Sequence, residues 1–260
     1  KVLVEDENNI DALRFMGILA FKSGNHDIAE AMLSKALKLD PTYSLVWANL
    51  AQVFSVTGQL DKAKKSFKNI LNMEPKNGLI WAEYGTVLTK LANYREGRDA
   101  YLKALEFKPN SPRIHLSLGH VYKTMGEINA SINSYKNTII QNNLSGEAYW
   151  SLANLKTYSF SKNEIKDMEE TLKGDMSDIE RSQMHFALGK AYEVKKDFDK
   201  SFKNYYEGNK VKKGLIKYSS DDTTDNTKRI LNFFNKENIQ KLAKSSTGDR
   251  DPIFVLGMPR

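Results

Sequence analysis

The sequence contains no cysteine among its 260 residues. Disulfide bonds and thiol catalysis are therefore excluded, and the composition fits a reducing compartment, so we expect a cytoplasmic location. Long hydrophobic runs are absent too, because no apolar stretch approaches the roughly 20 residues that a membrane helix requires. We expect no membrane partner.

Histidine is also scarce, with four residues in the chain. His115 and His120 are five residues apart, whereas two ligands on one helix face need a spacing of three or four. Glu169 and Glu170 are adjacent, so their carboxylates point in different directions and do not form an acid/base pair. The sequence therefore predicts neither a metal site nor a catalytic residue within these 260 positions.

The net charge of +7 comes mainly from lysines spread along helical patterns. This distribution is typical of a solvated helix surface, and no RNA- or DNA-binding motif accompanies it. We therefore expect no nucleic-acid partner.

Proline occurs only six times, yet Pro41, Pro75 and Pro109 follow one another at a spacing of 34 residues. The unit between two of them, Ser44–Asn77, has apolar residues at i, i+3, i+4 and i+7, which indicates a helix, then a glycine, then a second helical pattern. Each unit predicts a helical hairpin, which must stack on copies of itself to bury its apolar face.

With proline as position 32, small residues are expected at positions 8 and 20, where the two helices cross, and a bulky apolar residue at position 24. In the fourth repeat these are Gly119, Ala130 (one place early) and Tyr135. Trp47, Trp81, His115 and His185 fall at position 4, which is expected to be a core position. The period and pattern resemble those of the tetratricopeptide repeat (TPR), so the predicted fold is an all-α superhelical solenoid.

The predicted organisation has four parts. Residues 1–9 end a truncated repeat, residues 10–215 form six TPR-type hairpins, and residues 216–251 are a linker with short helices. The fifth hairpin, from Gly146, is irregular, and the sixth begins near Ser182. In the linker, the polar stretch 219–227 is predicted to be a loop.

The fourth part, residues 252–260, differs from the rest of the chain in its residue pattern. A continuous apolar run from Ile253 to Leu256, between Pro252 and Gly257, is typical of a strand that is buried on both faces. We expect it to be the first strand of an α/β domain that continues beyond Arg260.

The segment PIFVLGMPR, which ends the chain, resembles the start of the 5′-phosphosulfate-binding loop of sulfotransferases. The segment HFALGKAYEVKKDFDKSFKNYYEGNKVK, from His185, resembles the last repeat of TPR-containing sulfotransferases of the protein-tyrosine-sulfotransferase-like group. The resemblance implies a parent enzyme that transfers a sulfuryl group from 3′-phosphoadenosine 5′-phosphosulfate (PAPS) to an acceptor hydroxyl.

By this resemblance, Gly257 allows a close turn, Pro259 shapes it, and Arg260 pairs with the 5′-phosphate of PAPS. The catalytic base and the 3′-phosphate site would lie beyond residue 260. We therefore expect these 260 residues alone to be inactive and to hold no tightly bound cofactor. The alternative is a non-enzymatic TPR scaffold for protein–protein interaction.

The inner face of a TPR solenoid commonly binds an extended peptide. Positions 2, 5, 6, 9, 12 and 13 of each first helix line this face. The predicted groove residues, which would bind a peptide or protein acceptor, are Asn49, His120, Lys123, Trp150 and Asn154. Trp150 is expected to be exposed. A clamp for a terminal carboxylate is not predicted, because Ile18, Leu79 and Glu83 stand where such a clamp needs polar or basic residues.

Overall fold

Residues 6–216 and 219–244 are described by the computed structural model, with side chains to residue 242. Within these ranges the chain forms fourteen α-helices and no strand. The chain divides into two compact units, Lys1–Lys212 and Lys213–Arg260. The predicted strand and phosphate-binding loop, residues 252–260, lie outside the described residues.

The first unit holds the helical hairpins. In chain order its helices are α1 (Ile10–Lys22), α2 (His26–Leu39), α3 (Ser44–Val56), α4 (Leu60–Met73), α5 (Gly78–Lys90), α6 (Tyr94–Phe107), α7 (Pro112–Thr124), α8 (Ile128–Gln141), α9 (Gly146–Ala153), α10 (Lys162–Thr171), α11 (Asp178–Val194) and α12 (Phe198–Leu215), whose last residues belong to the second unit. Helices α1 to α8 form four regular hairpins with the boundaries that the 34-residue period predicts.

A small residue at position 8 allows the two helices of a hairpin to cross closely. A methyl group added at Gly119 would overlap the ring of Tyr135, and one at Gly189 would lie 2.8 Å from the ring of Tyr205. Tyr135 is fully buried. The bulky residue at position 24 therefore fills the space beside the glycine at position 8. The two helices are thus packed without a void, as is usual in protein interiors.

The small residue at position 20 of the fourth hairpin is Ser131, and the expectation of Ala130 was wrong by one place. Ser131 is fully buried and donates a hydrogen bond to the carbonyl of Gly119, at 2.9 Å. Ser201 donates to the carbonyl of Gly189 in the sixth hairpin in the same way, at 2.8 Å. Because the serine hydroxyl forms a hydrogen bond with the facing helix, serine can be buried at this crossing in the same way as alanine.

The position-4 residues Trp47, Trp81, His115 and His185 are half-buried, and the two tryptophans pack against the core. Leu13 and Tyr149, at the same position of the first and fifth hairpins, are buried. The indole N–H of Trp47 donates to the carbonyl of Pro41, and that of Trp81 to Pro75, both at 2.8 Å. The Nε2 of His115 lies 3.2 Å from the carbonyl of Pro109. These polar ring edges stay at the surface because each joins a hairpin to the proline that ends the preceding one.

The fifth hairpin is irregular, as predicted. Its first helix, α9, has only eight residues, and α10 begins at a capping box of Ser161 and Glu164. Because α9 is short, α11 approaches it closely. The backbone N–H of Gly146 donates to the carboxylate of Glu180 at 2.5 Å, and an added methyl group there would collide with the carbonyl of Glu180.

The sixth hairpin begins one helical turn earlier than predicted, at Asp178 instead of Ser182. The hydroxyl of Ser177 accepts a hydrogen bond from the backbone N–H of Glu180 and so starts the helix. Two acidic side chains in the first turn further favour a helix start, because they interact with the positive end of the helix dipole.

The second unit contains α13 (Ser220–Phe233) and α14 (Lys236–Lys244). The prediction of a loop at residues 219–227 was wrong, since most of that stretch is the first half of α13. Ser219 caps this helix by accepting from the N–H of Asp222, and Asp221 and Asp222 carry favourable charge in its first turn. The polar residues of this stretch therefore cap the helix and stabilise its first turn.

No helix in the described part of either unit is long and apolar enough to cross a membrane.

Candidate peptide-binding groove

The first helices of the hairpins carry the positions that were predicted to line the groove. Helix α1 contacts α3 and α5 contacts α7, whereas α9 packs against α11 about as extensively as the two helices of a regular hairpin pack together. We call the exposed side of α1, α3, α5, α7, α9 and α11 the inner groove. The predicted acceptor residues lie on three of these helices, α3, α7 and α9, or at the end of one of them.

His120, on α7, connects the fourth hairpin to the fifth. Its Nε2 lies 3.2 Å from a carboxylate oxygen of Glu147, and its Nδ1 lies 2.9 Å from the hydroxyl of Tyr135. A carboxylate can only accept, so Nε2 carries the proton and the Tyr135 hydroxyl donates to Nδ1. This hydrogen bond from His120 lowers the pKa of Glu147. Both ring nitrogens of His120 are therefore engaged within the protein.

Lys123 lies one turn further along α7. Its side chain is exposed, and it makes no ion pair with the residues that the structure describes. It stands in the last helical turn, where a cation is stabilised by the negative end of the helix dipole. The ammonium group is free to meet an acidic group of a ligand.

Trp150 is half-buried, whereas an exposed ring was expected. Its ring centroid lies 5.7 Å from that of Phe186 on α11, at an angle of 51°. The close approach of α9 and α11 produces this contact. We call this pair of tilted rings the aromatic platform; the ammonium group of Lys212 lies 5.7 Å from the centroid of the Phe186 ring.

The indole N–H of Trp150 has no hydrogen-bond partner among the described residues, unlike the indole N–H groups of Trp47 and Trp81. Asn154 is exposed at the C-terminus of α9, and its Nδ2 donates to the carbonyl of Trp150 at 2.9 Å. The Oδ1 of Asn154 is left as an acceptor. Trp150 and Asn154 thus present one donor and one acceptor beside the aromatic platform.

Asn49, on α3, belongs to another part of the groove. Its Oδ1 is enclosed and has no hydrogen-bond partner in the described part of the chain. The Nε of Arg14, on the neighbouring α1, is enclosed in the same way, 3.8 Å from a carboxylate oxygen of Asp11. The structure therefore groups His120 and Lys123 on α7, and Trp150 and Asn154 on α9, while Asn49 lies two hairpins away from His120.

Three residues that contact the predicted groove residues were missed in the sequence: Tyr135, Glu147 and Phe186. Phe186 carried a signal, because it occupies position 5 of the sixth hairpin, as Trp150 does in the fifth. Glu147 occupies position 2 of its hairpin, which was recognised as an inner position. The contact of Tyr135 with His120 depends on the crossing at Gly119 and left no signal in the spacing.

The predicted cofactor-binding residues Gly257, Pro259 and Arg260 lie outside the described residues. Within the described part of the chain no three histidine or carboxylate side chains come together in a way that could hold a metal ion.

Comparisons with known proteins identify the repeats. A family model described as "Tetratricopeptide repeat" matches residues 20–82, and one described as "TPR repeat" matches residues 85–126. A protein of Aquifex aeolicus (strain VF5), described as uncharacterized, is 28% identical over 144 residues, which are 55% of this chain and 18% of that protein. The matched segment thus spans less than a fifth of that relative's length.

Several solved structures resemble the fold at low sequence identity. The structure from the functional characterization of Pseudomonas aeruginosa pilF covers 91% of this chain and 97% of its own, with 19% identity and a TM-score of 0.58. MamA covers 78% of this chain and 98% of its own, with 20% identity and a TM-score of 0.52. YrrB covers 77% and 94%, with 17% identity and a TM-score of 0.53. The predicted fold class is confirmed: the chain carries tetratricopeptide repeats and folds as an all-helical TPR solenoid.

Proposed function

We propose that the inner groove binds an extended segment of a peptide or protein partner, with the aromatic platform of Trp150 and Phe186 as its anchor. The main support for this proposal is that the indole N–H of Trp150 has no hydrogen-bond partner among the described residues. The indole N–H groups of the two other tryptophans donate to proline carbonyls. An indole that is half-buried by one ring and keeps a free donor suits a partner with an apolar side chain and a backbone carbonyl.

Asn154 and Lys123 complement this anchor. The free Oδ1 of Asn154 can accept from a backbone N–H of the bound segment, and the ammonium group of Lys123 can pair with an acidic side chain. The solved structure of YrrB is described as that of a TPR protein with an unusual peptide-binding site, which supports a peptide as the class of ligand.

The test is a binding measurement with peptides selected from a random phage-displayed library against the chain. Replacement Trp150→Ala should weaken binding of the selected peptides by roughly 2 kcal/mol or more, because aromatic anchors carry much of an interface's energy. Trp150→Phe, which keeps a ring and removes the donor, should have an intermediate effect. The matched control is Trp81→Phe, which loses a structural hydrogen bond but should leave peptide affinity unchanged. If Trp150→Ala binds as the wild type does, the groove proposal is wrong.

We further propose that the parent protein is a PAPS-dependent sulfotransferase and that the solenoid binds the acceptor and presents it to the catalytic domain. The support is the resemblance of the segment PIFVLGMPR to the phosphosulfate-binding loop. In such a loop, a strand ends in a glycine turn and the following helix offers its N–H groups to a phosphate.

The cofactor proposal is tested by calorimetry with 3′-phosphoadenosine 5′-phosphate, the desulfated cofactor. The complete gene product should bind this compound, and Arg260→Ala should weaken binding at least tenfold, because a charged hydrogen bond to phosphate is lost. Residues 1–260 alone should not bind it tightly. Absence of binding by the complete product would leave the non-enzymatic scaffold as the function.

A further inference from the structure

Ion pairs join the second helices of neighbouring hairpins. In three of these pairs the residue from the earlier hairpin stands at position 21, so this position faces the hairpin that follows. With the position-21 residue first, the pairs are Glu30 with Lys62 at 3.2 Å, Lys64 with Glu96 at 3.5 Å, and Arg98 with Glu127, the residue before α8, at 3.5 Å.

In the sixth hairpin the same side of the second helix, α12, is aromatic. Phe202 occupies position 21 and is 73% exposed, and Phe198 and Tyr206, one helical turn away in either direction, are 66% and 59% exposed. The ring centroids of Phe202 and Tyr206 lie 6.5 Å apart at an angle of 28°. Residues four apart lie on one side of a helix, and we call these three side chains the aromatic stripe.

The aromatic stripe is large for an exposed apolar patch. An aromatic side chain buries 150–250 Å² when it is covered, so three that are about two-thirds exposed present roughly 400 Å² to the solvent. A contiguous apolar patch of a few hundred Å² on a protein surface often marks an interaction site. The side of a second helix that elsewhere faces the next hairpin is therefore open to a helical partner at α12.

We propose that the aromatic stripe binds the aromatic stripe of a second copy of the chain, with the two α12 helices antiparallel. A two-fold interface uses the same patch on both copies, so the two stripes bury about 800 Å² together, and the side chains along their edges add to this. The total lies at the lower end of specific protein–protein interfaces. The expected complex is therefore a weak dimer that forms in a concentration-dependent way.

Charged residues along one edge of the stripe support an antiparallel second copy. Asp199 and Lys210 are eleven residues apart, which is close to three full turns, so both lie on the same edge. Where Phe202 faces the partner's Tyr206, Asp199 comes within one residue of facing the partner's Lys210, and the symmetry repeats both contacts. Asp199 makes no ion pair with the residues that the structure describes, and Lys210 is 4.0 Å from Glu207. Each copy thus offers a charge that complements one on the other.

The experiment is sedimentation equilibrium of the whole chain over a range of concentrations. The wild type should show a reversible monomer–dimer equilibrium with a micromolar dissociation constant, and Phe202→Asp should raise this constant at least tenfold, because a central aromatic anchor is lost. The matched control is Phe15→Asp, at a phenylalanine of α1 that is 59% exposed and outside the stripe, and it should leave the constant unchanged. A wild type that stays monomeric to about 500 µM, or equal effects of the two variants, would overturn the proposal.

A charge exchange tests the antiparallel arrangement. Asp199→Lys and Lys210→Asp should each raise the dissociation constant at least threefold, since each places like charges opposite one another. The double variant should restore the constant to within about twofold of the wild type. The two positions lie roughly 16 Å apart along one helix, so an ion pair between them forms only between copies. A double variant that dimerises no better than the single variants would show that the antiparallel arrangement is wrong.

The dimer and the peptide-binding groove are independent and fail separately. Phe202→Asp should bind the library-selected peptides as the wild type does, and Trp150→Ala should dimerise as the wild type does. Circular dichroism checks that each variant keeps its helices, and Tyr206→Asp, at the next turn of the stripe, should repeat the effect of Phe202→Asp. If Tyr206→Asp dimerises as the wild type does, the stripe is not the interface and the proposal is wrong.

Discussion

At the scale of single residues, the turn between the two helices of each hairpin imposes a left-handed backbone at position 15. Gly24, Gly58 and Gly126 hold it with φ of 77–78°, whereas Ala92 and Lys196 hold it with φ of 60° and 63°. A side chain in this conformation costs roughly 1–2 kcal/mol, and glycine avoids that cost.

Replacement Ala92→Gly should therefore stabilise the protein by about 0.5–1 kcal/mol. Ala92 is exposed, so its methyl group contributes little by burial. The measurement is the free energy of urea unfolding. The control Ala31→Gly, at an exposed site within α2, should destabilise by up to about 1 kcal/mol. A loss of stability for Ala92→Gly would mean that the turn does not strain its alanine.

The Glu147 carboxylate contributes a pH-dependent term to stability. The hydrogen bond from His120 lowers its pKa below the ordinary 4.5 in the folded protein. This stabilisation is fully present at pH values above the pKa that Glu147 has in the unfolded chain. It is lost as the pH falls through the lower pKa of the folded protein. Between about pH 5 and about pH 3, unfolding free energy should fall more steeply in the wild type than in Glu147→Gln. In a His120→Phe background, Glu147→Gln should no longer change that slope; if the slopes of wild type and Glu147→Gln coincide, the contact is not a stabilising one.

Positions along the repeat could be predicted from the sequence, whereas contacts between side chains of different helices could not. The period placed His120, Lys123 and Trp150 at inner positions. It could not show that His120 is held at both nitrogens, because Tyr135 and Glu147 come from other helices. It also could not show that Trp150 meets Phe186, since that contact depends on the short helix α9.

At the scale of the helices, the crossing at position 8 sets how closely a hairpin can pack. A methyl group at Gly119 overlaps the buried ring of Tyr135, while one at Gly85 would lie 3.0 Å from the ring of Tyr101. Replacement Gly119→Ala should therefore cost about 1–3 kcal/mol, the usual range for overpacking, and Gly85→Ala should cost less. Thermal unfolding of the two variants gives the order, and the reverse order would show that the fourth hairpin relaxes more easily than its contacts indicate.

The four regular hairpins follow from the sequence because each helix end has a local cause, either a turn residue or a proline at a fixed offset. The fifth and sixth hairpins were harder to predict, since no proline stands at position 32 between them. There the helix starts depend on Ser161 and Ser177, which cap α10 and α11. Ser219 caps α13 similarly. These caps lie in polar stretches that composition alone indicates to be loops.

At the scale of the whole molecule, a solenoid is stabilised by contacts between neighbouring repeats, so its stability is approximately a sum along the chain. The buried core follows this principle in three clusters, of which the one around Leu152 joins the fifth and sixth hairpins through Met184 and Leu188. In contrast, no described residue of 213–244 is buried.

A chain of residues 1–216, which keeps α12 whole, should therefore unfold at nearly the same temperature as the full chain. We expect its unfolding midpoint to be lower by about 3 °C or less, since 1 kcal/mol shifts the midpoint of a protein of this size by roughly 2–4 °C. It should also bind the library-selected peptides with unchanged affinity, because both ends of the inner groove remain.

The matched comparison is a chain of residues 1–176, which loses α11 and with it Met184, Leu188 and the Phe186 ring. Its midpoint should fall by well over 10 °C, as several large buried side chains lose their neighbours. Circular dichroism measures both midpoints. If the chain of residues 1–216 melts as low as the shorter one, stability is not local, and the second unit contributes to the fold of the first.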